Sequence, residues 1–157
     1  MVLNRSLGYG TYKLTIRDMS QLEPAAVFSM ITWDDAGDKN YREMDVEVSR
    51  WGDSSSNSNM QFVVQPFYIP GNVFAFAAPS GTLTHVMRWE SGGANFKTLR
   101  GSSEASVGSV VSGHEFTSGI PSPGQARVHL IFYVIASDKN PQRKDSEVVI
   151  ERFEYVP

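Results

Sequence analysis

The stretch Tyr41-Arg42-Glu43-Met44-Asp45-Val46-Glu47-Val48 places a carboxylate at every second position from Glu43 to Glu47, with Met44, Val46 and Val48 alternating between and after them. Strict period-two alternation is the signature of a strand with one polar and one apolar face. The segment is therefore predicted to be a half-buried strand, its three acids in a row on one side. Such a row is ordinary on the wet face of an antiparallel strand, where the backbones of Glu43 and Glu47 would stand roughly 13 Å apart. It also has a chemical use. Cleavage of a glycosidic bond needs one ionised carboxylate at the sugar carbon and one protonated acid for the leaving oxygen. Asp45, between the glutamates, would serve both by hydrogen bonding and by opposing ionisation of a neighbour.

Outward from this strand the same alternation recurs in short segments. The spacing predicts strands at Thr11–Arg17, Ala26–Trp33, Arg42–Ser49, Asn59–Phe67, Val73–Phe76, Leu83–Trp89, Ala94–Leu99, Arg127–Ile135 and Glu147–Tyr155. Turn-forming clusters separate them, at Asp34–Gly37, Pro70–Asn72, Pro79–Gly81, Ser91–Gly93 and Pro121–Gly124. Asp53–Asn59 and Gly101–Gly113 are rich in small polar residues and are predicted to be loops. Nine short strands without a convincing helical period predict an all-β antiparallel sandwich or barrel. At 157 residues and 41% hydrophobic content, one domain over residues 1–157 is expected.

Charge and composition narrow the function classes. A net charge of -3, from 14 basic and 17 acidic residues without clustering of the bases, gives no footprint for nucleic acid. No apolar run approaches the ~20 residues of a bilayer span, and the N-terminus lacks a secretory pattern, so a soluble chain without membrane partners is expected. Zero cysteines exclude disulfides and thiol catalysis. His85, His114 and His129 lack zinc-site spacing, and Asp34 and Asp35 do not belong to a full oxygen-ligand loop for calcium. No metal and no cofactor is expected.

Several segments in order resemble glycoside hydrolase family 16, of the concanavalin A-like lectin/glucanase superfamily. Leu7-Gly-Tyr-Gly-Thr-Tyr12 is similar to its Gly-Tyr-Gly-x-Tyr/Phe entry strand, Phe28-Ser-Met-Ile-Thr-Trp33 to the strand leading to the site, and Glu43-Met-Asp-Val-Glu47 to its catalytic signature. Downstream, Met60-Gln-Phe62, Thr84-His-Val-Met-Arg-Trp89 and Glu147-Val-Val-Ile-Glu-Arg-Phe153 resemble the following strand, the His-x-x-x-x-Trp strand and the closing strand. The resemblance implies a jelly-roll sandwich of two curved antiparallel sheets whose concave face holds a β-linked polysaccharide, in an extracellular or periplasmic setting. It implies Glu43 as nucleophile, Asp45 as supporting carboxylate and Glu47 as general acid/base of a retaining, double-displacement reaction. Retention requires the two carboxyl groups to converge to about 5–5.5 Å, and Glu47 to have the higher pKa.

Gln61 and Gln65 share a face by alternation, and beside the acidic strand their amides would reach sugar hydroxyls, or else simply cover a wet sheet face. Trp33, Trp51 and Trp89, with Phe67 and Tyr68, are candidate platforms for pyranose rings; packing is the simpler role for Trp89, and Trp51, beside a polar loop, is the better exposed candidate. His85 corresponds to a family position close to the site, against the alternative of a structural hydrogen-bonding group. Arg42 is expected on the opposite face from the acids, in a structural ion pair.

Two features depart from the family pattern. Only Met1–Ser6 precede the Gly-Tyr-Gly segment, where the family has further strands. Open sheet edges are therefore expected, and with them homo-oligomerisation or strand exchange. His129-Leu-Ile-Phe-Tyr-Val134 also differs from the family's Asn-Leu-Trp pattern, where a tryptophan often lies near the substrate. The functional expectation is an endo-acting β-glycan hydrolase, first for a β-glucan and second for a galactan such as agar or carrageenan. The alternative is a catalytically silent carbohydrate-binding or structural sandwich. The uninterrupted Glu-x-Asp-x-Glu is closer to the family's lichenase-type strand than to its bulged laminarinase-type strand.

Overall fold

The computed structural model describes residues 1–38, 42–102, 110–135 and 144–157. Its strands, in chain order, are β1 (Gly10–Ile16), β2 (Ala26–Trp33), β3 (Glu43–Val48), β4 (Met60–Val64), β5 (Val73–Phe76), β6 (Leu83–Glu90), β7 (Gly93–Arg100), β8 (Val110–Phe116), β9 (Arg127–Val134) and β10 (Ile150–Val156). A single turn of 3-10 helix, Pro70–Asn72, precedes β5. The strands form two five-stranded antiparallel sheets, ordered β10-β1-β6-β7-β8 and β5-β4-β3-β2-β9. The result is a jelly-roll β-sandwich with almost no helix.

Period-two patterning does the work. In β3, Met44, Val46 and Val48 turn inward and are buried, as are Phe28 and Met30 of β2 and Met60, Phe62 and Val64 of β4. The facing sheet contributes Tyr12, Leu14 and Ile16 of β1, Met87 and Trp89 of β6 and Phe96 of β7. Phe62 and Phe96 stack across the interface at 5.2 Å between ring centroids. Interdigitation of two inner faces of this kind is what closes a sandwich. Trp89 lies in this core, its indole N–H donating to the Pro121 carbonyl at 3.0 Å.

The Gly-Tyr-Gly segment has a steric basis. Gly10 has φ +148°, and a Cβ there would lie 2.6 Å from both the Tyr155 ring and the Val156 carbonyl oxygen. Only glycine fits where β1 meets β10 so closely. The Tyr155 hydroxyl then donates to the carbonyl of Leu7 at 2.6 Å, tying the entry segment to the last strand.

Three elements differ from expectation. β8 occupies part of the expected Gly101–Gly113 loop, of which residues 103–109 lie outside the described residues. Its Ser112 and Gly113 are poor strand formers, but pairing with β7 overrides propensity. Gly113 lies so close to β7 that a Cβ would be 3.3 Å from the Phe96 carbonyl oxygen. β4 ends at Val64 instead of Phe67, because Pro66 has no N–H for the ladder. β10 begins at Ile150, after Val149 has accepted a hydrogen bond from Arg17 N–H.

β9 is an edge strand, and the N-terminus covers part of that edge. Val2 bridges His129, Leu3 N–H donates to Val128, and Leu130 N–H donates to the carbonyl of Met1. Farther along, Phe132, Tyr133 and Val134 are exposed. Among the described residues no helix is long and apolar enough to cross a membrane.

Candidate active site

Register places the site. Residues directly opposite in an antiparallel pair share a face. β3 pairs with β2 so that Trp33, Ile31 and Ser29 stand opposite Glu43, Asp45 and Glu47, and with β4 so that Val63 and Gln61 stand opposite Asp45 and Glu47. The face turned away from the core therefore carries the acids in the middle row. A cleft of about 610 Å³ opens over it, with Glu43, Glu47, Gln61 and Gln65 in its floor and the exposed rings of Trp51, Phe67 and Tyr133 around it.

The three carboxyl groups occupy three different environments. Asp45 is fully buried between Ile31 and Val63, themselves buried, and burial drives its pKa well above the usual range, reinforced by the charges of Glu43 and Glu47. The side-chain hydrogen bond that Asp45 and Glu43 share raises the pKa of Asp45 and lowers that of Glu43, so it favours the proton on Asp45. Its Oδ1 is buried without a hydrogen-bond partner, while its Oδ2 accepts from Gln65 Nε2. Glu43 is raised by burial but held down by that hydrogen bond and by the Arg42 charge. Glu47 is raised by burial to about 7, against the lowering effect of a hydrogen bond from Gln61 Nε2 to its Oε2 at 2.5 Å. Near neutrality this leaves Glu47 half protonated.

Gln65 is oriented from both ends. Phe67 N–H donates to its Oε1 at 2.9 Å, so its Nε2 faces Asp45 Oδ2 at 3.3 Å. Both glutamine amides are thus spent on carboxylates as well as lining the cleft, an orienting role beyond the sugar contact expected of them. Trp51, 40% exposed, stands beyond the Glu47 end of the row with a left-handed φ of 51°. Its own N–H donates to Ser49 Oγ, and the next residue's N–H to the Pro24 carbonyl. A bulky residue held in that region is a local strain that persists only where its surroundings over-determine it.

Three expectations are corrected. His85 does not lie near the acids: it sits on β6 in the other sheet, completely buried on the core side, with Nδ1 2.9 Å from Thr98 Oγ1 and its pKa pushed by burial down to about 3. Trp33 shares the acids' face but is no open platform. The Arg42 guanidinium lies 4.3 Å from its ring centroid, and the His129 ring 6.3 Å away. Arg42 itself donates to the carbonyls of Asp35 and Gly37, and its charge reaches Glu43. It precedes β3, so strand alternation does not govern its direction.

Tyr133 was not singled out by sequence; its signal was the period-two pattern of β9 continued through Arg127, His129 and Ile131 to that position. Asp34 caps its own loop, accepting from the N–H groups of Ala36 and Gln125, while Asp35 pairs with Arg127 at 2.8 Å. Among the described residues, no group of three or more His, Asp or Glu is placed to hold a metal ion.

No family model and no curated protein matches the chain. Solved structures match. The chain superposes on a native glycosidic hydrolase at 21% identity with a TM-score of 0.67, covering 99% of this chain and 68% of that one. A β-glucanase from Bacillus licheniformis gives 14% identity, a TM-score of 0.69 and coverage of 98% and 69%. The chain has the β-glucanase fold. A prokaryotic β-1,3-1,4-glucanase (lichenase) derived from a mouse hindgut metagenome agrees, at 13% identity, a TM-score of 0.69 and coverage of 99% and 70%. The likeness to family 16 carried by the sequence motifs is thus matched at the level of the concanavalin A-like sandwich.

Proposed function

We propose that this chain is a retaining, endo-acting β-glycan hydrolase, with a β-glucan as the first substrate to test. The observation that carries the proposal is the division of labour among three carboxyls on one strand face: an Asp45 pushed towards its protonated form, a Glu43 whose rise by burial is opposed by Asp45 and Arg42, and a Glu47 raised to about 7. Glu43 attacks the anomeric carbon while Glu47 gives its proton to the glycosidic oxygen, releasing the leaving sugar and forming a glycosyl ester on Glu43. Glu47, now ionised, takes a proton from water, whose oxygen displaces Glu43 and restores both groups. Asp45 keeps Glu43 oriented through its hydrogen bond. An open cleft flanked by Trp51 and Phe67, the latter 66% exposed, suits a chain that continues past the reacting bond. A polymeric substrate also fits an enzyme that works outside the cytoplasm.

The test is release of reducing ends from a panel of β-glucans and algal galactans, by wild type and Glu43→Gln. Release by wild type on at least one polymer, falling by about three orders of magnitude or more in the variant, is the expected result. Equal release by both sinks the catalytic assignment. Silence on the whole panel, with oligosaccharide binding retained in calorimetry, moves the conclusion to a carbohydrate-binding sandwich.

A further inference from the structure

The two sides of the acid row are chemically unequal. On the β4 side stand Gln61 and Gln65, polar and tied to carboxylates. On the other side the face continues through β2 to β9, where Tyr133 pairs with Val27 and Ile131 with Ser29. Ser29, the residue between Ile131 and Glu47 in that register, is small and buried, so the floor is low between the acid and the edge strand. Tyr133 rises at that edge, 43% exposed, and lines the same cleft as Glu43 and Glu47. Its phenol is near enough to the acids for their charges, that of Glu47 foremost, to reinforce the effect of burial in raising its pKa, so its hydroxyl keeps its proton and remains a donor.

Building on the hydrolase reading, we propose that Tyr133 is the specificity-determining residue of the β9 half of the cleft: its ring is the platform for the pyranose bound on that side of Glu47, and its hydroxyl donates to that sugar. An amphipathic ring offers an apolar face for sugar C–H groups and a polar tip for a hydroxyl. Because β9 is an edge strand, this half-site opens to solvent, and a sugar there has one aromatic wall in place of two polar ones.

The test uses binding in place of turnover, in a Glu43→Gln background, with laminari- and cello-oligosaccharides titrated by calorimetry. Tyr133→Ala should weaken binding by about tenfold or more, as loss of a central aromatic contact does. Tyr133→Phe, which keeps the ring and the fold, should lose only a few-fold. In the otherwise wild-type chain, Tyr133→Ala should raise KM more than it lowers kcat. Undiminished binding by Tyr133→Ala overturns the proposal, as does a Tyr133→Phe variant as weak as Tyr133→Ala, since the ring would then contribute nothing. Failure of the hydrolase reading is distinct: a chain without turnover that binds through Tyr133 keeps this inference, whereas a parent that binds none of the oligosaccharides overturns this inference and leaves the hydrolase reading to the reducing-end assay.

Discussion

Glu47 accepts a hydrogen bond from Gln61 and stands beside Ser29, whereas Asp45 is enclosed by Ile31 and Val63. Neighbours two strands wide thus separate the acids, which by sequence are near-equivalent members of one alternating run. A donor to a carboxylate stabilises the charged form, so removing it raises the pKa. Gln61→Ala should therefore push Glu47 above about 7 and carry the alkaline limb of kcat/KM to higher pH, because the acid must be protonated when substrate binds. A limb that stays in place would show that another group controls it. The acid row itself was legible in the sequence. The dryness of its central member was not, because it comes from Ile31 and Val63 on other strands.

At the scale of elements, β4 holds the site by what lies on its other face. Gln61 points to the cleft, while Phe62 is fully buried and packs against Phe96, Phe74 and Phe76. Phe62→Ala removes an aromatic that the core cannot easily refill, and should cost about 3–5 kcal/mol in chemical denaturation. Below its unfolding transition the variant should keep the pH limbs of the wild type. A cost under about 1 kcal/mol would mean that β4 is not clamped through this ring. The strand pattern of β4 was readable from its alternation, as were β2 and β3. β8 was not, because Ser112 and Gly113 carry no strand signal and their pairing with β7 is a long-range choice. For the same reason Tyr133 went unnoticed: that its strand lies beside β2, and so on the acid face, is a matter of topology.

For the whole molecule, pH acts on stability through buried groups that pull in opposite directions. Folding lowers the pKa of His85 from about 6.5 to about 3. Between those values the unfolded chain binds a proton that the folded chain refuses, so this contribution is complete above about 6.5 and is lost as pH falls towards 3. Folding raises the pKa of Glu47 to about 7, so its contribution is complete below the unfolded value and is lost as pH rises through about 7. His85→Gln removes the first titration. Its stability should fall less steeply than that of wild type between pH 6 and pH 4, by up to about 1.4 kcal/mol per pH unit. Parallel curves for the two proteins would show that His85 titrates normally. As a probe of fold stability this histidine is informative, although the motif around it had suggested a place in the cleft.

The sequence by itself determined the strands that alternate cleanly, the single face shared by Glu43, Asp45 and Glu47, and the β-glucanase-like order of motifs, because these depend on periodicity and local spacing. Only the tertiary structure decided which strands are neighbours. That choice buried Asp45, gave the three acids different surroundings, turned His85 into the core, covered Trp33 with Arg42 and brought Tyr133 to the cleft. Each of these depends on contacts between residues far apart in the chain, where burial and charge are set by the partners that folding supplies.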